Sequence, residues 1–308
     1  MSEYENLKKI AEQFVNGELP ILEDESEFTV GCEQCGECCR DRGDILLSPH
    51  DVFHLVKATK MPIDEMLKKY TEIYLGDSSR LPIVRIVYRF DALRANQIMN
   101  AMPSILSGAT KMPPEEMLKP PTICPFLGRK ENKYYCRVHE HKPTVCRTYP
   151  LGKMQSMKKD EVPEGPVYPK YFLQEEDPHG DCTGIRRAHR EHITQTVVDW
   201  VGGSYKKSVS DRYSVIFNEF TQAYHKEFDY SRFEKRANPV VFNIFFGMLE
   251  NAMYGDYDDC KDDEEFLQKL QFNLAMCLEL VKRTNKNPRF LLDVIERGEL
   301  RLSSQDAV

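Results

Sequence analysis

The chain has 308 residues, of which 41% are hydrophobic and 30% are charged, a composition typical of globular proteins. The formal net charge of −7 argues against a generally basic nucleic-acid-binding surface, and no apolar run reaches membrane-spanning length. Because the N-terminus lacks the apolar segment of a secretory signal, we expect a cytoplasmic protein with reduced thiols and neither nucleic-acid nor membrane partners.

The N-terminal segment predicts one short helix and one brief strand. Residues 2–16 place apolar side chains at helical spacing, and Gly17 and Pro20 end that pattern. An acidic linker follows, and residues 28–30 predict a strand that leads into a dense run of cysteines.

This run contains four cysteines in eight residues, namely Cys32, Cys35, Cys38 and Cys39. The C-x2-C-x2-C spacing is typical of iron–sulfur ligand runs, and each C-x2-C pair can also chelate zinc. Gly36 permits the backbone angles that folding the run back requires. Because adjacent side chains diverge, Cys38 and Cys39 are not expected to bind the same ion.

The next segment predicts alternating helices and strands. Residues 48–51 (Ser-Pro-His-Asp) have the composition of a helix start, with a capping serine, a proline in the first turn and an acidic residue at the capping-box position. A second helix is expected from about residue 60 to Gly76, a strand over 81–90, and a helix over 92–101 that Pro103 ends.

A second set of cysteines is spread along turn-rich sequence: Cys124, Cys136, Cys146 and Cys182. Segments of this kind have little apolar content, so a bound metal could supply what they fold around. Three arginines directly follow candidate ligands, at Arg40, Arg137 and Arg147. They either donate hydrogen bonds to the sulfurs or pair with surface carboxylates.

Helical patterns dominate beyond residue 185, at about 185–200, 205–227, 236–254, 263–283 and 287–298. The acidic run over 255–265 is expected to open the fourth of these helices, and Cys277 fits its apolar face. The predicted fold is mainly α with a loop-rich, metal-stabilised cysteine-cluster core and a few short strands. We expect an N-terminal helix and linker (1–25), a cysteine-cluster domain (26–185) and a helical domain (186–308).

The histidines give weaker signals. His139 and His141 are expected to be solvated, although either could complete a zinc site with three cysteines. His50 and His54 are four residues apart on one predicted helix, where surface or supporting roles are expected. His189 and His192 lack an identifiable partner motif.

Several spaced motifs resemble the YkgJ-type cysteine-cluster family, which is described as zinc- or iron-chelating and includes the flagellin lysine N-methylases. They are the Cys32–Arg40 run, Leu47-Ser-Pro-His-Asp51, Cys124-Pro-Phe-Leu, Cys136-Arg-Val-His with Cys146-Arg, and Cys182-Thr-Gly184. Lys142 stands where arginine is commoner in that family, and the sequence after Gly184 lacks the glycine-rich continuation often seen. The resemblance implies a cysteine-ligated metal site with eight candidate ligands: Cys32, Cys35, Cys38, Cys39, Cys124, Cys136, Cys146 and Cys182.

Three functional hypotheses follow. The favoured one is an iron–sulfur protein, with a [4Fe–4S] cluster in a redox or structural role and Cys32, Cys35, Cys38 and Cys124 as the main ligands. The methylase branch of the resemblance implies a protein lysine N-methyltransferase, with S-adenosylmethionine as cofactor and a protein substrate. The third hypothesis is a structural zinc module whose helical half binds a protein partner.

Overall fold

The computed structural model describes residues 3–42, 45–107, 120–131, 133–155, 166–174, 182–255 and 257–296. Within these ranges the chain is mainly α-helical, with twelve α-helices and a few short strands, as the sequence predicts. None of the helices in these ranges combines the length and the apolar character needed to cross a membrane.

The elements up to residue 154 are mostly short. They are α1 (Glu3–Val15), β1 (Glu27–Thr29), β2 (Leu46–Leu47), α2 (Pro49–Thr59), α3 (Ile63–Tyr70), β3 (Thr71–Leu75), β4 (Pro82–Ile86), β5 (Arg89–Phe90), α4 (Ala92–Leu106), β6 (Thr122–Ile123), β7 (Leu127–Lys130), β8 (Lys133–Cys136), α5 (Thr144–Thr148) and β9 (Leu151–Met154). Two 3-10 helices lie among them, at Glu37–Cys39 and His139–His141.

Longer helices follow. The remaining elements are β10 (Lys170–Leu173), α6 (Thr183–Glu191), β11 (Thr194–Thr196), α7 (Val197–Trp200), α8 (Ser204–Glu227), α9 (Tyr230–Arg236), α10 (Pro239–Tyr254), α11 (Asp263–Lys286) and α12 (Phe290–Glu296). The acidic run opens α11 as predicted, since the Asp262 side chain caps it and three acidic residues occupy its first turn.

Strands β2, β4 and β3 form an antiparallel sheet in that order. Val84 at the centre of β4 lies opposite both Leu47 and Ile73, and it is completely buried. Helix α10 packs against this sheet, and the Tyr254 hydroxyl at its end donates a hydrogen bond to the Leu47 carbonyl at 3.3 Å. Helix α10 is therefore fixed to the β2–β4 pair of this sheet.

The main hydrophobic core contains side chains from both sides of the predicted domain boundary. Phe53 of α2 stacks on Phe266 of α11 with ring centroids 4.5 Å apart, and Phe228 stacks on Phe245 at 4.6 Å. The boundary near residue 185 stays a prediction, but the elements on its two sides bury apolar surface against each other.

A smaller second core lies beside the paired strands β1 and β11. It consists of Phe28, Val30, Leu151, Tyr171, Val197 and Val201, with Leu22 and Trp200 packed against it. This core joins the start of the cysteine domain to the segment that follows it.

The local chemistry predicted for α2 is confirmed. The Ser48 hydroxyl accepts a hydrogen bond from the Asp51 amide at 3.1 Å, and the Asp51 carboxylate accepts one from the Ser48 amide at 3.0 Å. Pro49 occupies the first helical position, where its missing N–H costs nothing.

Three boundaries were predicted wrongly. The helix expected to reach Gly76 ends at Tyr70, because residues 71–75 pair with β4 as a strand. Helix α4 continues through Pro103 to Leu106. The helix expected over 185–200 divides into α6, β11 and α7, because His192 takes a left-handed conformation (φ 53°) and residues 194–196 pair with β1. The short helix α9 was not predicted.

Candidate metal centre

The first cysteine run is shaped by a turn at Gly36, whose φ of 82° is unfavourable for other residues. A Cβ at this position would lie 3.0 Å from the Leu127 side chain of β7. Leu127 pairs with Cys136 across the β7–β8 hairpin. The turn therefore places the Cys32–Cys39 run directly against the hairpin that carries Cys136.

Backbone pairing brings Cys124 to the end of the same run. The Cys124 amide donates a hydrogen bond to the Cys39 carbonyl at 2.8 Å, and Arg40 forms a β-bridge with Ile123. The chain thus delivers Cys124 beside Cys39.

Cys146 lies in the short helix α5, which Asp51 of α2 holds in place. The Asp51 carboxylate accepts hydrogen bonds from the Thr144 amide at 2.7 Å and the Thr144 hydroxyl at 2.8 Å. Because the other carboxylate oxygen completes the capping box of α2, this buried side chain fixes two helix starts relative to each other.

Cys182 immediately precedes α6, where two glycines allow close approach of the backbone. A Cβ on Gly184 would lie 2.4 Å from the Gly31 carbonyl oxygen and 2.9 Å from the Glu33 nitrogen. Gly184 therefore packs against the backbone that flanks Cys32. This contact places Cys182 near the start of the Cys32–Cys39 run.

All eight predicted ligands line one cavity: Cys32, Cys35, Cys38, Cys39, Cys124, Cys136, Cys146 and Cys182. Its walls come from both hydrophobic cores, with Ile86 and Phe126 on one side and Leu151 and Trp200 on the other. The thiols therefore meet where the two cores join. All ten cysteines of the chain are free thiols, and Cys260 and Cys277 are buried in the main core, as expected for Cys277.

The thiols lie close enough to influence one another. The sulfurs of Cys38 and Cys39 are 4.0 Å apart, and the Cys39–Cys124 thiol hydrogen bond raises the pKa of Cys39. Burial raises the pKa of Cys146 to about 12, and the neighbouring Cys38 sulfur adds to this effect. Several thiolates at such spacing repel one another, so a metal cation among them is what would stabilise the ionised form.

The spacing of the sulfurs is wide. Among the described residues, no three cysteine sulfurs lie within 4.8 Å of one another. A tetrahedral zinc ion with Zn–S bonds of about 2.3 Å holds its sulfurs about 3.8 Å apart. The cavity as it stands is therefore wider than a single zinc–thiolate tetrahedron.

Two cations line the cavity, Arg42 and Lys142. The contact with Cys39 and burial raise the pKa of Cys38 well above its usual value, and the charges of these two cations only partly oppose that rise. Two of the three arginines singled out in the sequence, Arg40 and Arg147, make other contacts. Arg40 binds Glu37 at 2.9 Å and lies over the Tyr134 ring, and Arg147 donates to the Lys142 carbonyl at 3.2 Å. Of the two roles considered for these arginines, a hydrogen bond to a sulfur or pairing with a carboxylate, Arg40 has the second.

Aromatic walls were not predicted from the sequence. The Trp200 indole lines the cavity and donates hydrogen bonds to the carbonyls of Thr148 (3.1 Å) and Tyr149 (3.0 Å). Tyr88 also lines it, and burial raises the pKa of its hydroxyl. Neither residue has a sequence motif, because each reaches the cavity through long-range packing.

The expectation of surface positions for His50 and His54 needs correction, whereas a supporting role stays a prediction. His50 is only 2% exposed, its Nε2 lies 3.0 Å from Nε2 of His54, and both rings contact Asp263 of α11. The spacing of four residues on one helix indicated that His50 and His54 lie on the same face. Nothing in the sequence linked that face to Asp263, which lies 213 residues after His50.

The donors in the cavity suit a soft or borderline metal. Thiolate sulfur favours zinc, copper(I) and iron–sulfur centres, and the two cations can offset the excess negative charge of several thiolates. The eight thiols therefore fit a metal centre and could supply all of its protein ligands.

Comparison with known proteins agrees with this chemistry. Residues 31–163 match the CxxCxxCC family, described as a "putative zinc- or iron-chelating domain". No curated protein and no solved structure matches the chain. The family match supports metal chelation and does not bear on methyl transfer. Residues 31–163, which carry seven of the eight cavity cysteines, thus match the model of the CxxCxxCC family.

Proposed function

We propose that the cysteine cavity binds an iron–sulfur cluster, with a structural or redox role. The observation that carries the proposal is the convergence of eight thiols, from separate segments, on one cavity. Eight thiols exceed the four ligands of one tetrahedral zinc ion. A cluster whose thiolates bind different iron atoms suits sulfurs that are spread around a cavity.

The location of the cavity supports a structural contribution. Because its walls come from both cores, ligands bound there would connect the β1–β11 region to the main core. Metal binding of this kind contributes directly to folding, since the unfolded chain does not present a formed site.

The surroundings also suit a redox centre. Cys32 and Cys38 are exposed, so the centre would lie near the surface. Arg42 and Lys142 lie at the cavity wall, and nearby positive charge makes reduction of a cluster more favourable. The cluster would accept and release electrons, and the protein would set its potential through these charges.

The choice of ligands is tested by a series of single Cys→Ser substitutions in the full chain, purified without oxygen. We expect Cys146→Ser to lose most of the brown colour and the cluster absorption near 400 nm. Cys277→Ser is the control, because Cys277 is a buried thiol that lies on α11 in the main core and does not line the cavity. Equal absorption in the two variants would remove Cys146 from the ligand set.

The same series separates a cluster from zinc. A colourless wild-type protein that retains zinc and lacks sulfide would reject the iron–sulfur proposal and favour the structural zinc alternative. Cys146 lies outside the main ligand set that the sequence predicts, so Cys32→Ser, Cys35→Ser, Cys38→Ser and Cys124→Ser belong to the same series. Cys39→Ser is added because the Cys124 amide hydrogen-bonds to the Cys39 carbonyl. Retained absorption in any variant of the predicted set would remove that cysteine from it.

A further inference from the structure

A second group of potential metal ligands lies away from the cysteine cavity. It consists of His50 and His54 on α2 and Asp263 in the first turn of α11. The ligand atoms of these three side chains all lie within 4.8 Å of one another. In the part of the chain that the structure describes, no other group of three or more histidine, cysteine or acidic side chains meets this criterion.

The distances among the three donor atoms match those around a single ion. The His54 and His50 Nε2 atoms are 3.0 Å apart, and Asp263 Oδ1 lies 3.0 Å from His54 Nε2 and 3.4 Å from His50 Nε2. A metal with bonds of about 2.1 Å separates its ligands by about 3.0 Å at right angles and about 3.4 Å at tetrahedral angles. All three separations fall on these values.

The surrounding side chains hold the ligands in place. His50 stacks on Tyr213 with ring centroids 5.6 Å apart, and it also contacts Phe266. His54 Nδ1 lies 3.2 Å from Nδ1 of His141, so its second nitrogen has a hydrogen-bonding partner. This contact resembles the supporting hydrogen bonds that orient metal-bound histidines.

We infer that His50, His54 and Asp263 form a second metal site, for one divalent first-row ion of the kind that binds imidazole and carboxylate together, such as Zn²⁺. The site contains no cysteine and does not depend on a cluster in the cavity. It fastens α2 of the cysteine domain to α11 of the helical half. Its supporting residue His141 lies between the candidate ligands Cys136 and Cys146 in the sequence.

The competing explanation is a hydrogen-bonded network without metal. The Tyr205 hydroxyl also hydrogen-bonds to Asp263, and the Arg147 charge acts on both His54 and Asp263. A network of this kind would need the same side chains but would bind no ion, so metal content separates the two explanations.

The test measures zinc, iron and sulfide per chain in full-length protein that is incubated with Zn²⁺ without oxygen and then dialysed. Wild type is compared with Asp263→Asn and His54→Asn, which remove a ligand with little change in size. The control is Glu264→Gln, a neighbouring acid on the same helical turn that pairs instead with Arg212. Circular dichroism confirms that each variant is folded.

We expect Asp263→Asn and His54→Asn each to carry one zinc fewer per chain than wild type and Glu264→Gln, with iron and sulfide unchanged. Zinc should also raise the melting temperature of wild type more than that of Asp263→Asn. Equal zinc in all four proteins overturns the inference. Because iron and sulfide are measured in the same samples, failure of the cluster proposal would be seen separately.

Discussion

At the scale of single residues, the contact between Gly31 and Gly184 shows how the cavity depends on the absence of side chains. The Gly184 position is surrounded by backbone atoms of residues 31–33, which cannot move aside as the end of a flexible side chain can. Cys182, two residues away, therefore depends on this contact for its place at the cavity.

We predict that Gly184→Ala lowers the metal content and destabilises the protein by about 1–3 kcal/mol, the usual cost of overpacking. The added Cβ would otherwise lie 2.4 Å from the Gly31 oxygen, so the start of α6 must shift. Metal analysis and urea unfolding measure the two effects. In the control Gly17→Ala the added Cβ meets nothing within 4 Å, so unchanged metal content is expected there despite strain from its positive φ. Full metal content in Gly184→Ala would contradict the assigned role.

At the scale of secondary-structure elements, Asp51 joins the starts of two helices, α2 and α5. The capping box of α2 was predictable because it is encoded within four consecutive residues. The bond to Thr144 was not, since it joins positions 93 residues apart. For the same reason β3 was missed, because its strand conformation depends on pairing with β4.

We predict that Asp51→Ala destabilises the protein by about 2–4 kcal/mol, through loss of a helix cap and of hydrogen bonds to a buried carboxylate. Because Thr144 opens the helix that carries Cys146, cluster absorption should fall as well. Asp64→Ala, an exposed acid in the first turn of α3, is the control and should cost less than about 1 kcal/mol. Urea unfolding compares the two, and similar losses would count against the double role of Asp51.

At the scale of the whole molecule, the thiol cavity lies where the two hydrophobic cores meet. A ligand that binds only the folded chain stabilises it by mass action. Extraction of the metal should therefore weaken the connection between the cores.

We predict that removing the metal with a chelator under reducing conditions lowers the melting temperature and changes the fluorescence of Trp200. This is the only tryptophan of the chain, and it lines the cavity, so an iron–sulfur cluster there should quench it. The fluorescence should rise as the cluster is removed. A melting temperature and emission that do not respond would contradict a metal at this position.

The sequence was most informative where the chemistry is local. It identified all eight cavity thiols, because no ordinary core needs cysteines at such spacing, and the helical periodicity of the C-terminal half located α8, α10 and α11. It did not identify Arg42, Lys142 and Trp200 as cavity residues, or link His50 and His54 to Asp263. Arg42 and Lys142 lie within four residues of Cys39 and Cys146, so their nearness to the cavity was readable in the sequence. Trp200 and the contact of His50 and His54 with Asp263 depend on folding across long stretches of chain, which no motif encodes.

The central claim is tested most directly by measuring iron, zinc and acid-labile sulfide in the wild-type chain purified without oxygen. The account predicts iron and sulfide in equal amounts, lost together when Cys38 and Cys146 are replaced by serine and retained in Cys277→Ser. A protein that contains neither iron nor sulfide, with its thiols freely titratable in the folded state, would contradict it.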